Sequence, residues 1–322
     1  DQPFKQMTGI NIISERPLPW LLSEPLSYEL YRMAGVPAEQ TDHVRLLKDG
    51  KLLGYQLLVE QPNKSFIARH GRNDSGNLYK LLWYGQGVIG QHEKKTHVNT
   101  GHDDLVKLVN GLNKKSGDEQ WKFIEENFNV DEVVNYFAVN MCIQNWDGFF
   151  NNYFAYHDTG KTGKWEMYPW DEDKTWGDYD GVSPKYDWYE MPLTFGMAGD
   201  QPPGGGVKSR LLGRFFQGPW GGPGWWRPPG YFSGPLLANP EFRKRFLARL
   251  DEICANIFTQ QKMFPLIDAM EKRLTPEARL SAETRGEDAT QAVENFRNDI
   301  QSLRNQVLNR RKFIQAELKR GN

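Results

Sequence analysis

Asp147, Asn152, Asp171 and Asp173 fall close together in the stretch Asn145 to Gly177, with Asn151 beside the second of them. Carboxylates and a carboxamide are hard oxygen donors, the kind that hold magnesium and, with it, phosphate oxygens. Between Asn152 and Asp171 lie two short aromatic runs, Tyr153 to His157 and Lys164 to Tyr168, joined by the polar, Gly-rich Asp158-Thr-Gly-Lys-Thr-Gly163. This is the pattern of a β-hairpin with a longer loop. Paired strands run about 5 Å apart, so the residue before the first strand and the residue after the second meet at one end of the ribbon. The hairpin therefore brings Asn152 to Asp171, and Asp147 sits in the same loop as Asn152. A metal and phosphate site is the expected chemistry.

The elements that position this stretch follow from periodicity. Val134, Phe137, Ala138 and Met141 form an apolar stripe that runs straight into the Asn145 loop, with Asp131 suited to the first helical turn. Two further stripes precede it: Leu105, Leu108, Val109 and Leu112, then Trp121, Ile124 and Phe128 behind the candidate caps Ser116 and Asp118. Upstream, Ile10 to Ile13 reads as a strand. Leu22, Leu26, Leu30 and Met33 predict a helix capped by Ser23 and stopped at Gly35 before Pro37. His43 to Leu47 and Leu52 to Glu60 read as two strands around Lys48-Asp-Gly-Lys51, a tight-hairpin sequence. Ser65 to Arg69 and Gly76 to Leu82 read as further extended pieces. Downstream, residues 178–238 are Gly- and Pro-rich without periodicity, with one short helix expected around Arg210 to Phe216. From Asn239 the chain reads as helix: Pro240 opens one along Phe242, Phe246, Leu250, Ile253 and Ile257. Met263 to about Leu274 makes a second, and Val293, Phe296, Ile300, Leu303 and Val307 mark a third whose seam packs on the body. The division expected is an α+β part over 1–100 and a helical part over 101–322, the latter holding the hairpin 145–177 and the insertion 178–238.

Composition removes several function classes. The 322 residues are 39% hydrophobic and 13% aromatic, enough for a sizeable core. A formal charge of −1 without a dense basic run argues against nucleic-acid binding. No apolar run approaches the roughly 20 residues of a membrane span. Cys142 and Cys254 both fall on apolar helical patterns and read as buried thiols, so neither a disulfide framework nor a cysteine zinc site is expected. The chain opens on Asp1 with no signal-peptide pattern and reads as a mature or trimmed form.

The order helix, Asp147, four residues, Asn152, hairpin, Asp171 is also that of the eukaryotic-type protein kinases. There a catalytic-loop Asp and an Asn five residues on precede a strand pair and a metal-binding Asp. Phosphoryl transfer needs metal ions to neutralise phosphate oxygens and a carboxylate to orient the attacking hydroxyl. Asp147 is the candidate for that carboxylate, and Asn152 and Asp171 are the candidate metal ligands, with Asp173 a further ligand or supporting group.

Asn-Trp-Asp-Gly-Phe-Phe-Asn-Asn-Tyr from Asn145 and Pro-Trp-Asp-Glu-Asp-Lys-Thr-Trp-Gly from Pro169 closely resemble the signature of the CotH family of atypical protein kinases, named for a spore-coat protein. Leu26 to Pro37 is similar to that family's helix before the strand meander, Gly54-Tyr55 with Glu60 to one of its strands, and Asn309 to Ile314 to its closing helix. The resemblance covers most of the chain. It implies a protein-kinase-like two-lobed α+β fold, with a small antiparallel-sheet N-lobe and a mainly helical C-lobe. It further implies ATP- and Mg2+-dependent phosphorylation of Ser or Thr in coat, cell-surface or extracellular proteins, Mn2+ or Ca2+ being alternative ions. Asp147 then takes the catalytic-loop role and Asp171 the metal-binding role. The family's Arg-Gly and Lys-bearing strands before the helix have no counterpart here. The N-lobe thus reads as truncated, with the phosphate-binding lysine outside the chain and Glu24 or Glu29 as its candidate helix partner.

Two other readings use the same residues. One is a non-catalytic scaffold in a coat or surface assembly, built on a kinase-like fold. The other is a carbohydrate-linked protein, either a transferase using Asp171-Glu-Asp173 to hold a metal on a sugar diphosphate or a binder contacting sugars through Trp220, Trp225 and Trp226.

Overall fold

Asp49 and Gly50 take φ values of 51° and 76°, the left-handed pair that a two-residue hairpin turn requires. They join β2 (Thr41–Lys48) to β3 (Lys51–Glu60), and β1 (Ile10–Ile13) pairs antiparallel along the other edge of β3. The three-stranded antiparallel sheet has the order β1-β3-β2: the expected β2–β3 hairpin is present, but β1 pairs with β3 and not with β2, so the strands do not follow one another as a meander. The computed structural model describes residues 4–13, 20–81, 87–177, 189–198 and 229–321. The helix expected around Arg210 to Phe216, and Trp188, Trp220, Trp225 and Trp226, lie outside the described residues.

The helix α1 (Trp20–Met33) carries Leu22, Leu26, Leu30, Tyr28 and Tyr31, all fully buried. Each such leucine contributes about 2 kcal/mol by leaving water. Ser23 is not its cap as expected. The helix starts at Trp20, and Ser23 lies in its first turn with its carbonyl accepting from the Ser27 hydroxyl at 2.8 Å. A second correction concerns Ser65 to Arg69, which is helical and not extended: α2 (Lys64–Arg69). Asn63 decides it, because its side-chain oxygen accepts from the backbone of Ser65 and Phe66 and so satisfies two amides at the helix start.

A second antiparallel sheet has the order β5-β4-β6-β7. Its strands are β4 (Asn77–Leu81), β5 (His92–Lys94), β6 (Tyr153–His157) and β7 (Trp165–Pro169), and the short α3 (Gly87–Gln91) leads into β5. The sheet thus takes strands from both sides of residue 100. The expected hairpin is its β6–β7 half, and β4 is added along the free edge of β6.

The three predicted helices before the loop are α4 (Asp103–Lys114), α5 (Gly117–Asn127) and α6 (Val130–Ile143). Every residue of α6 from Val133 to Ile143 except Asn135 is buried, as befits a helix surrounded by others. After the short α7 (Ser233–Ala238) come α8 (Pro240–Asn256), α9 (Gln260–Arg285) and α10 (Ala289–Arg320). The second of these long helices runs well past the expected end near Leu274, carrying Pro276 within it. Leu274, Ala278 and Ala282 stay buried along it, so packing overrides the helix-breaking residue. The seam Val293, Phe296, Ile300, Leu303, Val307 is buried within the chain. Cys142 and Cys254 are free, buried thiols as expected. Together these elements make an α+β fold of small antiparallel sheets and a mostly helical remainder. Among the described residues no helix is long and apolar enough to cross a membrane.

Candidate active site

The hairpin closes as its sequence requires. Tyr153 pairs with Pro169 at one end and His157 with Trp165 at the other. Asp158 organises the turn, its carboxylate accepting from the backbone amides of Lys161 and Thr162 and from the Thr162 hydroxyl. Asn152 and Asp171 flank the Tyr153–Pro169 end. The Asn152 amide nitrogen lies 3.2 Å from an oxygen of Asp147 and 3.5 Å from an oxygen of Asp171. Three of the residues singled out from the sequence are therefore gathered at one point. Asn152 and Asp171 both hold left-handed backbone, with φ of 53° and 59°. Asn and Asp tolerate that region better than other side-chain-bearing residues, and such strain concentrates at functional sites.

Around this point the loop is held by buried polar contacts. The helix α6 ends at Gln144, also left-handed, and the amide of Asn145 returns to the carbonyl of Asn140 at 2.9 Å. The Asn145 side chain then does two jobs. Its oxygen accepts from the Gly148 amide at 2.7 Å, and its nitrogen donates to both oxygens of Glu172, at 3.0 and 2.9 Å. Tyr31 of α1 reaches in from above, donating to Asn140 at 2.5 Å and lying 3.4 Å from Glu172. Tyr136 donates to the Gly148 carbonyl at 2.8 Å. Gly148 has no room for a side chain: a Cβ there would sit 2.6 Å from the Asn145 amide nitrogen and 2.7 Å from the Asn140 oxygen. Trp176 closes the segment, its indole donating to the Ser27 hydroxyl at 3.0 Å and its backbone amide to the carbonyl of Ile143 at 2.6 Å.

The electrostatics are acidic. Glu172 is fully buried, and burial pushes its carboxyl well above the usual range, helped by the charges of Glu39, Glu24 and Asp171. Glu39 is fully buried too, and among the described residues neither of its carboxylate oxygens has a hydrogen-bond partner. Burial raises it as well. Glu24 is buried and accepts from Tyr28 at 3.3 Å, on the same acidic side of α1. Glu29 is instead paired with Arg32 one turn along its own helix, at 2.8 Å. Asp173 is buried two residues beyond Asp171.

The donor set suits a magnesium ion. Asp147, Asn152 and Asp171 offer hard oxygens, and among the described residues no three carboxylates, imidazoles or thiols are grouped as metal ligands. Magnesium fits such a sparse set, because it binds through one or two carboxylates and completes its shell with water and substrate phosphates.

The sequence pattern passed over two groups that the structure brings forward. Glu172 stands between the two aspartates that drew attention, but its role depends on Asn145 and Tyr31, which sit far along the chain. Lys80 of β4 lies with its ammonium 3.8 Å from the centre of the Trp170 ring, immediately before Asp171. Its only sequence signal is a lysine in an otherwise half-apolar strand.

A family model described as CotH kinase protein matches residues 1–314. The chain is also similar to the inner spore coat protein H of Bacillus subtilis (strain 168), 22% identical over 290 residues that cover 85% of this chain and 69% of that protein.

Proposed function

The chain belongs to the CotH kinase protein family, and from that premise we propose that it is a metal-dependent phosphotransferase. It passes the γ-phosphate of ATP to Ser or Thr hydroxyls of spore-coat, surface or secreted proteins. The observation that carries this reading is the Asn152 amide lying between the carboxylates of Asp147 and Asp171, at 3.2 and 3.5 Å. A spore-coat setting is supported by the similarity to a protein named for that layer.

In this reading Asp147 orients the acceptor hydroxyl and takes its proton as the oxygen bonds to the γ-phosphorus; the bond to the ADP oxygen breaks and ADP leaves. Asp171 and Asn152 hold the divalent ion, which when bound neutralises charge on the phosphate oxygens. Glu172 and Asn145 keep the two halves of the site in register, since small displacements of reacting groups carry a large rate penalty.

The test is transfer of labelled γ-phosphate from ATP to a Ser/Thr-rich coat extract with Mg2+ or Mn2+. Label should enter protein, vanish with EDTA, and vanish in Asp147→Asn and Asp171→Asn at unchanged melting temperature. A folded wild-type chain that neither binds ATP nor transfers phosphate overturns the enzymatic reading and leaves the non-catalytic coat role in its place.

A further inference from the structure

The strand β4 joins the hairpin through β6, and its register sets Lys80 opposite Phe154. Opposed residues of an antiparallel pair share a face, so Lys80 leaves the sheet beside Phe154, two residues beyond Asn152. Its ammonium stands 3.8 Å from the Trp170 ring centre and 5.9 Å from that of Phe154. The two rings meet edge to face at 5.6 Å. Trp170 is followed directly by Asp171, so the lysine arrives at the same end of the hairpin as Asn152 and Asp171.

Lys80 is half-buried, and among the described residues its ammonium makes no hydrogen bond or ion pair. Its neighbour Lys95 is occupied by Glu93 at 2.7 Å. Burial and then the charge of Lys95 push the Lys80 ammonium down from the usual lysine range, and Asp171 is the strongest of the carboxylates acting the other way. A partly desolvated ammonium held only by ring faces is an incomplete arrangement, because a buried charge is costly until an anion faces it. The carboxylates nearby do not close on it. An anion that is itself drawn to Asp171 through a metal would.

We propose that Lys80 is a phosphate-contacting residue, its ammonium supported on Trp170 and gripping a phosphate oxygen of the nucleoside triphosphate held at Asp171. This rests on the phosphotransfer reading above. It draws the phosphate grip from β4, a strand that follows α1 and joins the hairpin. Lysine suits the role as a compact charge on a flexible stem that follows a phosphate through small movements.

The experiment has two arms. In the first, the wild-type chain is treated with an acyl phosphate of ATP; a lysine amine near the phosphates attacks the acyl carbon, forms an amide and releases the nucleotide. Peptide mass spectrometry should find the acyl group on Lys80, and excess magnesium ATP should suppress it. In the second, calorimetry compares magnesium ATP, tripolyphosphate and adenosine on the wild type, Lys80→Met and Lys80→Arg. The Met variant should bind ATP and tripolyphosphate about tenfold more weakly, as loss of one charge-assisted hydrogen bond implies. Adenosine should be unaffected, and Arg should restore most of the loss. Should wild type bind ATP while Lys80 stays unlabelled and the Met variant binds equally well, the proposal falls and the phosphotransfer reading stands. A wild type that binds no nucleotide overturns both. If the Met variant does not fold, the labelling of the wild type decides.

Discussion

The carboxamide of Asn145 donates to both carboxylate oxygens of Glu172, at 3.0 and 2.9 Å. One residue opens the loop that follows α6, and the other follows Asp171. The contact therefore fixes the two acidic arms of the site against each other inside the protein, where a hydrogen bond is strong and a missing one is expensive.

Replacing Asn145 by Ala strips Glu172 of two hydrogen bonds and frees the Gly148 amide. A stability loss of about 1–3 kcal/mol is expected, together with a fall in phosphate transfer larger than that loss of folded protein explains. Urea unfolding and initial rates on the same samples check it. An unchanged midpoint would show that the pair holds nothing together.

Gly148→Ala should be as damaging to the site as removal of a ligand. The new methyl group would press on the Asn145 amide and the Asn140 oxygen, both buried. Neither neighbour can swing away without giving up a hydrogen bond. Overpacking of this sort costs about 1–3 kcal/mol, and rates should drop with it. A variant with wild-type rate and melting temperature would refute the close fit.

Glu39 offers a pH test. Burial raises its folded pKa above the unfolded value, so its protonated form favours the fold. Stability linked to it is fully present below about pH 4.3 and is lost as pH rises toward its folded value. Glu39→Gln removes that titration. Relative to wild type the variant should gain stability as pH rises above about 4.3, by melting temperature in matched buffers. A gap that stays flat across this range would mean Glu39 is not held protonated by burial.

Acid should act in the opposite direction at the far end of the hairpin. Asp104 accepts from His157 at 2.7 Å, Tyr79 at 2.5 Å and Asn77 at 2.8 Å. Burial works to raise its carboxyl, but these hydrogen bonds outweigh it and hold the group well below the usual range. Its contribution is present above about pH 4 and is lost as pH falls through its folded value. His92, which burial pushes down to about 4, adds an earlier loss, because the unfolded chain takes up that proton from about pH 6.5 downward. Because buried Glu39 acts the other way, the effect is read as a difference between wild type and variant at each pH. Asp104→Asn should cost about 2 kcal/mol at neutral pH, and that gap should close as pH falls below about 4. A gap that stays constant on acidification would exclude this account.

Local pattern was enough to bring the candidate residues Asp147, Asn152 and Asp171 together. The hairpin, its turn and the meeting of Asn152 with Asp171 depend on residues within one ribbon, where a period of two and a Gly-rich turn leave little freedom. The Asp49-Gly50 turn and the stripes of α4, α5, α6, α8 and α10 were legible for the same reason. Where the reading of Ser65 to Arg69 erred, one capping residue, Asn63, outweighed strand-like composition; where Leu274 was taken as an end, burial of Ala278 and Ala282 carried the helix through Pro276.

What lay beyond the sequence is what depends on distant contacts. That β4 adds to the hairpin, that Lys80 thereby reaches Trp170, that Tyr31 meets Asn140 across 109 positions, and that Glu172 rather than Asp173 takes the Asn145 amide are all outcomes of packing. The residues at Asn145 to Gly177 determined which oxygens could work together. Tertiary structure decided which neighbours are buried against them, because burial and charge are properties of the assembled surroundings and leave no local period to read.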